Sequence, residues 1–263
     1  MAYSYTHLLV EVDDDGVALC TLNRPEVLNA VNGVLHSELE DLFVRLGKDR
    51  DVKAAVLTGA GRAFCAGGDI RDMRGSEDDR PGGYFDSGAR ELILSLLSLE
   101  KPIIAAVNGD AVGLGATIAL GCDVVFMSEK ARIGDTHVRV GLVPGDGGAV
   151  LWPLLVGPSR AKELLMTGDL LPAQEAYRMG LVAHVVPPEQ VLPEALALAR
   201  RLARGPGLAI RFAKLAVQRH ILNSYFQVLD LSLALETITG KSYDHREAVQ
   251  AFMEKREPRF QGR

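Results

Sequence analysis

The chain has 263 residues, 48% of them hydrophobic, and a net charge of −5 made up of scattered residues of both signs. That size supports a sizeable α/β core, and the charge balance gives none of the basic footprint a phosphate backbone requires, which excludes nucleic acid as a partner class. No apolar run is long enough to span a bilayer, the first residues show no basic stretch leading into an apolar one, and Cys20, Cys65 and Cys122 follow no disulfide or metal-ligand spacing, so the expectation is a reduced, cytoplasmic protein with no membrane partner.

Leu8–Val12 and Val17–Leu22 are β-prone runs joined by Asp13-Asp14-Asp15-Gly16, which predicts a hairpin. Asn32 reads as the N-cap of an amphipathic helix that lines up Leu35, Leu39, Leu42, Phe43 and Leu46 and runs to about Gly47. Ala54–Thr58, Ile103–Val107 and Asp123–Met127 read as strands with room for a helix between them, the pattern of an α/β fold. Arg74–Gly88, rich in Asp, Gly and Arg, reads as a surface loop that lies over a site. Beyond Gly147 the pattern turns helical, with Ala149–Val156, Arg160–Met166, Pro172–Met179, Glu189–Ala203, Leu208–Leu222 and Phe226–Ile238 as candidates. The expected organisation is an α/β core over residues 1–200 and a helical subdomain over 201–263, in one structural unit and used for assembly.

Two glycine-rich turns carry the chemistry. Gly67-Gly68-Asp69 follows the stretch from Ala54 to Ala66, and Gly113-Leu114-Gly115 follows the apolar strand from Ile103 to Val107. Such turns serve tight bends and close helix packing, but an ordered pair also aims two backbone N–H groups at one oxygen, which predicts an oxyanion hole.

These turns, with Asn23-Arg24-Pro25, Leu28-Asn29-Ala30, Ala105-Ala106-Val107-Asn108-Gly109, Cys122-Asp123 and Gly141-Leu142-Val143-Pro144-Gly145-Asp146-Gly147-Gly148, resemble the crotonase superfamily, the enoyl-CoA hydratase/isomerase family. The resemblance implies a spiral of ββα repeats with a C-terminal helical subdomain, and an acyl-CoA substrate whose thioester oxygen is held by the N–H groups of Gly68 and Leu114. Each such donor is worth about 3 kcal/mol in the transition state. It further implies that coenzyme A, part of the substrate and the only cofactor expected, lies along Arg24, Val27, Leu28, Ala66, Asp69 and Ile70. Homotrimers, often paired into hexamers, are the implied assembly.

The hydratases of this family activate water and protonate carbon with two glutamates, and the matching positions here are Thr117 and His137. A threonine hydroxyl is no general base near neutral pH, so Thr117 is expected to pack, line the substrate site or donate a hydrogen bond. His137 can act as acid or base and is the leading catalytic candidate. Asp146, nine residues on and past the Pro144-Gly145 turn, is expected to fix the His137 tautomer, to N-cap the following helix, or both. The His137–Asp146 pair is similar to that of the β-diketone hydrolase branch of the superfamily, the 6-oxocamphor hydrolases. His36 and Glu236 match that branch too, whereas Leu114 and Val31 depart from it. Alone, His36 lies beside the apolar stripe of its helix and reads as an edge residue. Glu236, on an almost wholly apolar helix, reads equally as a buried structural pair or as a catalytic or substrate-lining group.

The expected function is enolate or oxyanion chemistry on an acyl-CoA thioester, with His137–Asp146 in place of the two glutamates. The alternatives are hydrolysis of a C–C bond in a β-ketoacyl-CoA or β-diketone, a hydrolase or dehalogenase with Asp146 as nucleophile, and a non-catalytic acyl-CoA-binding protein. The six histidines show no paired ligand spacing and Glu77-Asp78-Asp79 reads as a solvated run, so no metal is expected.

Overall fold

A computed structural model describes residues 3–71 and 88–263. Of the expected Arg74–Gly88 loop only Gly88 falls among them; the rest of that loop, including Glu77-Asp78-Asp79, lies outside the described residues. Strands β1 (Leu8–Val12) and β2 (Val17–Leu22) form the expected antiparallel hairpin. They continue into a sheet with β3 (Ala54–Gly59), β5 (Ile103–Val107), β7 (Val124–Ser128) and β10 (His184–Val186), in which every pair after the hairpin is parallel. A second sheet joins β4 (Ala63–Cys65), β6 (Asp110–Val112), β8 (Arg132–Gly134) and β9 (Leu171–Pro172), parallel except at its β8–β9 edge.

The repeat is visible in how the chain alternates between sheets. The pairs β3/β4, β5/β6 and β7/β8 each send a first strand to the large sheet and a second to the small one. Helices α2 (Ala89–Leu97) and α3 (Leu114–Gly121) return the chain after the first two pairs. This is the expected ββα spiral. The second strands are three residues long, too short to show a period, which is why β4, β6, β8 and the similarly short β9 and β10 escape sequence reasoning.

The strands of the large sheet are apolar almost throughout because both faces are covered. Ala54 and Val56 of β3, with Ile104 and Ala106 of β5, face Val191, Ala195 and Ala199 of α7 (Val191–Ala203). Their alternates Ala55, Leu57, Ala105 and Val107 belong to the main core with α1 (Gly33–Lys48), whose Leu35, Leu39, Leu42, Phe43 and Leu46 are all buried as expected. The Asn32 side chain caps α1 by accepting from the Leu35 amide at 2.9 Å. Because α7 belongs to this core, the division expected at residue 200 falls inside a helix, and the chain breaks instead at Gly205-Pro206.

Helices α4 (Gly148–Val156), α5 (Pro158–Thr167) and α6 (Ala173–Arg178) match their expected positions within two residues. The two helices expected over 208–222 and 226–238 are one, α8 (Gly207–Gly240), since nothing in Asn223-Ser224-Tyr225 forces a break and Ser224 bonds back to the His220 carbonyl at 3.2 Å. Helix α9 (Tyr243–Glu254), capped by Ser242, was not expected.

One buried amide ties the first glycine turn to the sheet. Asn29, in the left-handed region at φ 57°, donates from Nδ2 to the carbonyls of Ala60 and Ala63 at 2.9 Å and of Phe64 at 3.2 Å, and accepts from the Arg24 amide. Asn29→Ala strands these carbonyls in a buried place and should cost about 3 kcal/mol in urea unfolding; a loss under about 0.5 kcal/mol would show that the pin is dispensable.

Candidate active site

The two glycine turns meet. At Gly67, φ is +91° and a Cβ would stand 2.8 Å from the Val112 carbonyl oxygen, so only glycine permits this approach. The turn is fastened to the chain after Asn29 by Val31 N to Gly67 O at 2.8 Å and Asp69 N to Val31 O at 2.9 Å. Gly113 (φ +54°) is the N-cap of α3, a helix buried on nearly every side, and a Cβ on it would lie 3.9 Å from Gly67 Cα and 3.8 Å from His137 Cε1. Among the described residues no protein acceptor takes the Gly68 or Leu114 amide, and Leu114 is the first residue of α3, where helix amides are unclaimed and the dipole favours negative charge.

His137 opens the 3-10 turn His137–Val140 after β8, and its ring lies between two carboxylates. Nδ1 is 2.7 Å from Asp135 Oδ1, and Nε2 is 3.2 Å from Asp146 Oδ2. The same Asp135 oxygen accepts the His137 backbone amide at 3.2 Å, which sets the ring's direction from two residues away. Asp146 Oδ1 accepts the Thr117 hydroxyl at 3.0 Å, and the Gly148 amide at the start of α4 adds a backbone donor to that carboxylate. Thr117 is therefore a hydrogen-bond donor to the site, fully buried on α3.

The electrostatics follow from this contact. Burial alone would push the His137 imidazole down, but Asp135 and Asp146 outweigh it and hold its pKa well above the usual 6.5. Asp146 sits low for a carboxylate: burial pushes it up, yet the His137 charge and the hydrogen bonds from His137, Thr117 and Gly148 pull it further down. His137 keeps 11% of its side chain exposed and Asp146 8%, against 1% for Asp135, so Asp135 is the member closed off behind the other two. One ligand atom from each of Asp135, His137 and Asp146 lies within 4.8 Å of the others, but both ring nitrogens already face a carboxylate, which leaves the ring no free lone pair for a cation when both are protonated.

The arrangement revises the expected division of labour. The carboxylate that orients Nδ1 is Asp135, which sequence reasoning missed, while Asp146 faces Nε2. The Asp-Thr-His spacing, an aspartate whose side chain turns back on the amide two residues later, is the signal that would have found it. Asp146 is not the N-cap of α4; Gly147 holds that position. His36, expected at an edge of the core, is partly buried there: it lies against Gly88, and burial lowers its pKa against the pull of Asp146 and Glu91. Glu236, 3% exposed on α8, packs on Gly145 beside the Asp146 turn, and Ser232 one turn earlier donates to the Gly145 carbonyl at 3.2 Å.

The expected coenzyme A residues lie together along the first turn. Leu28 O accepts the Ala66 amide at 3.0 Å, and Val31 O accepts the Asp69 amide at 2.9 Å, so the segment after Arg24 runs beside the first turn. Arg24 and Asp69 pair with each other at 3.3 Å, and Arg24 also donates to the Ala30 carbonyl, so these two side chains brace the rim they stand on.

A ββα spiral with two facing glycine turns is the crotonase architecture. The chain belongs to the enoyl-CoA hydratase/isomerase family, whose model matches residues 13–263, and is an enzyme of that family acting on acyl-CoA. It is 38% identical to the 1,2-epoxyphenylacetyl-CoA isomerase of Escherichia coli (95% of this chain, 97% of the relative) and 39% identical to a probable enoyl-CoA hydratase of Rhodobacter capsulatus (99% and 100%). The crystal structure of an enoyl-CoA hydratase/isomerase from Mycobacterium paratuberculosis superposes with a TM-score of 0.87 at 38% identity, over 93% of this chain and 98% of that one.

A raised histidine pKa stabilises the fold fully below the unfolded value near 6.5, and that contribution is lost as pH climbs through the folded value. The lowered Asp146 acts oppositely: its contribution is present above about 3.9 and lost as pH falls through its folded value. The stability gap between the native protein and His137→Gln, measured by urea unfolding, should therefore shrink as pH rises above about 6.5 and through the raised folded value. A gap independent of pH would contradict the charged ring.

Proposed function

We propose that the protein converts an acyl-CoA thioester through an enolate, with the Gly68 and Leu114 amides holding the thioester oxygen and the His137–Asp146 pair handling the proton. The observation that carries this reading is the His137 ring itself, fixed between two carboxylates and set 3.8 Å from a Cβ position on Gly113, at the mouth of the second glycine turn. The two amides, which no acceptor among the described residues takes, would supply donors where charge develops, and an acid/base pair within reach is what enolate chemistry requires. Coenzyme A would lie along the rim of Val27, Leu28, Ala66 and Ile70 that Arg24 and Asp69 brace. The reaction moves protons and carbon-bound electron pairs only, so it needs no cofactor beyond the coenzyme A of its substrate.

Hydration and isomerisation both fit such a site, and relatives of nearly equal identity carry both names. As a nucleophile Asp146 would have to move to bonding distance of carbon, away from the His137, Thr117 and Gly148 donors that anchor it, whereas taking a proton leaves the carboxylate in place. Exposed Phe212, Val217, Phe226, Leu231 and Ile238 on α8 favour self-association, in keeping with a homotrimer or hexamer.

Turnover of crotonyl-CoA, a β,γ-enoyl-CoA and a β-ketoacyl-CoA, each followed by mass spectrometry, tests the reading. The native protein should turn over at least one, and His137→Ala and Asp146→Asn should lower kcat by about 10²- to 10⁴-fold. Full activity in either variant would remove the pair from the mechanism. Thioester binding without turnover of any of the three would favour a binding protein.

A further inference from the structure

We propose that Asp135 is a positioning residue that keeps both ring nitrogens of His137 protonated through the catalytic cycle, so that His137 is a fixed donor to Asp146 and the Asp146 carboxylate is the base of the site. This inference rests on the enolate reading above and assigns its roles.

An imidazole ring with a carboxylate oxygen at each nitrogen satisfies both contacts as donors only when both nitrogens carry protons. The Asp135 contact is the shorter, 2.7 Å against 3.2 Å, and the more rigid, since the same oxygen is held by the His137 amide. Asp135 is almost wholly buried, and its other oxygen, Oδ2, has no hydrogen-bond partner among the described residues. That oxygen faces Gly148, where any Cβ would collide with it, so the start of α4 is shaped around a carboxylate that reaches substrate only through the histidine. Among the described residues, the other titratable groups that act on this cluster do so through Asp146: His36 from α1 and Cys65 from β4.

The proton step then balances without a proton leaving the histidine. The C–H bond at the carbon next to the thioester breaks, its electron pair passes to the thioester oxygen at the Gly68 and Leu114 amides, and the proton forms an O–H bond on Asp146. Collapse of the enolate takes that proton back at the same or a more distant carbon. His137 keeps Asp146 ionised between turnovers and oriented during them, the task for which Asp135 holds it.

The test is Asp135→Asn, the same size and without the charge, beside Asp135→Glu. In the asparagine variant kcat should fall on the order of 10²-fold with KM little changed, and the alkaline limb of the kcat/KM profile should move down by about one pH unit or more as the ring becomes able to lose a proton. Asp135→Glu should recover part of kcat and return the limb upward. An unmoved alkaline limb, or a loss of kcat shared by both variants in proportion to lost melting temperature, would overturn the proposal and leave Asp135 a structural residue. Should the native enzyme turn over no thioester, the enolate reading fails by itself. NMR titration of the His137 ring in Asp135→Asn still decides the positioning role: a pKa brought down toward that of an ordinary imidazole supports it, and an unchanged one overturns it.

Discussion

A histidine ring can donate at both nitrogens only as a cation, and His137 is placed where both nitrogens face a carboxylate. Much of the surrounding structure serves that contact. Asp135 must be aimed from two residues upstream, which the bond to the His137 amide accomplishes. Asp146 must come back from beyond the Pro144-Gly145 turn, and α8 closes on that turn so tightly that residue 145 has no room for a side chain beside Glu236. Gly148 must lack a Cβ so that α4 can begin against Asp135. Two anions and one cation with little solvent carry a desolvation cost of several kcal/mol per ion that their mutual attraction offsets only with good geometry. Such an arrangement is weak evidence for stability and good evidence for a site.

The spiral explains how residues so far apart in sequence arrive there. Each repeat ends at the small sheet, and the small sheet's strands lead directly into the segments of the candidate site: β4 into Gly67-Gly68, β6 into Gly113-Leu114 and β8 into Asp135 and His137. Because β4, β6 and β8 are neighbours in one sheet, the segments that follow them are neighbours as well. Asn29 contributes from outside the repeat by fixing the approach to β4 and with it the first turn.

The parts of the fold legible in the sequence were those with a period or a punctuating residue. The hairpin, α1 with its five-residue apolar face, the long buried strands and the two glycine turns all carried such signals. The small sheet did not, because three-residue strands show no alternation, and α8 was divided at Asn223-Ser224-Tyr225, where low helix propensity is overridden by packing on both sides. At the site, the Thr117 hydrogen bond and the approach of Asp146 to His137 followed from residue chemistry and turn geometry. Which ring nitrogen each carboxylate meets is not legible, since that depends on the direction of the ring, and Asp135 carries no distinguishing signal because an aspartate beside a turn ordinarily caps backbone, as Asp135 also does. The edge position of His36 is legible in its helix alone, whereas its approach to Gly88, just ahead of α2, is not.

The account stands on the protonation of one ring, and that can be observed without substrate. NMR of the native protein with ¹⁵N-labelled histidine, assigned by comparison with His137→Gln, would count the protons on the two nitrogens at neutral pH. The account predicts two N–H protons on His137, both protected from exchange and both persisting well above the pH at which an ordinary imidazole becomes neutral. A single N–H with a free nitrogen at pH 7 would contradict it and would return the role of base to His137.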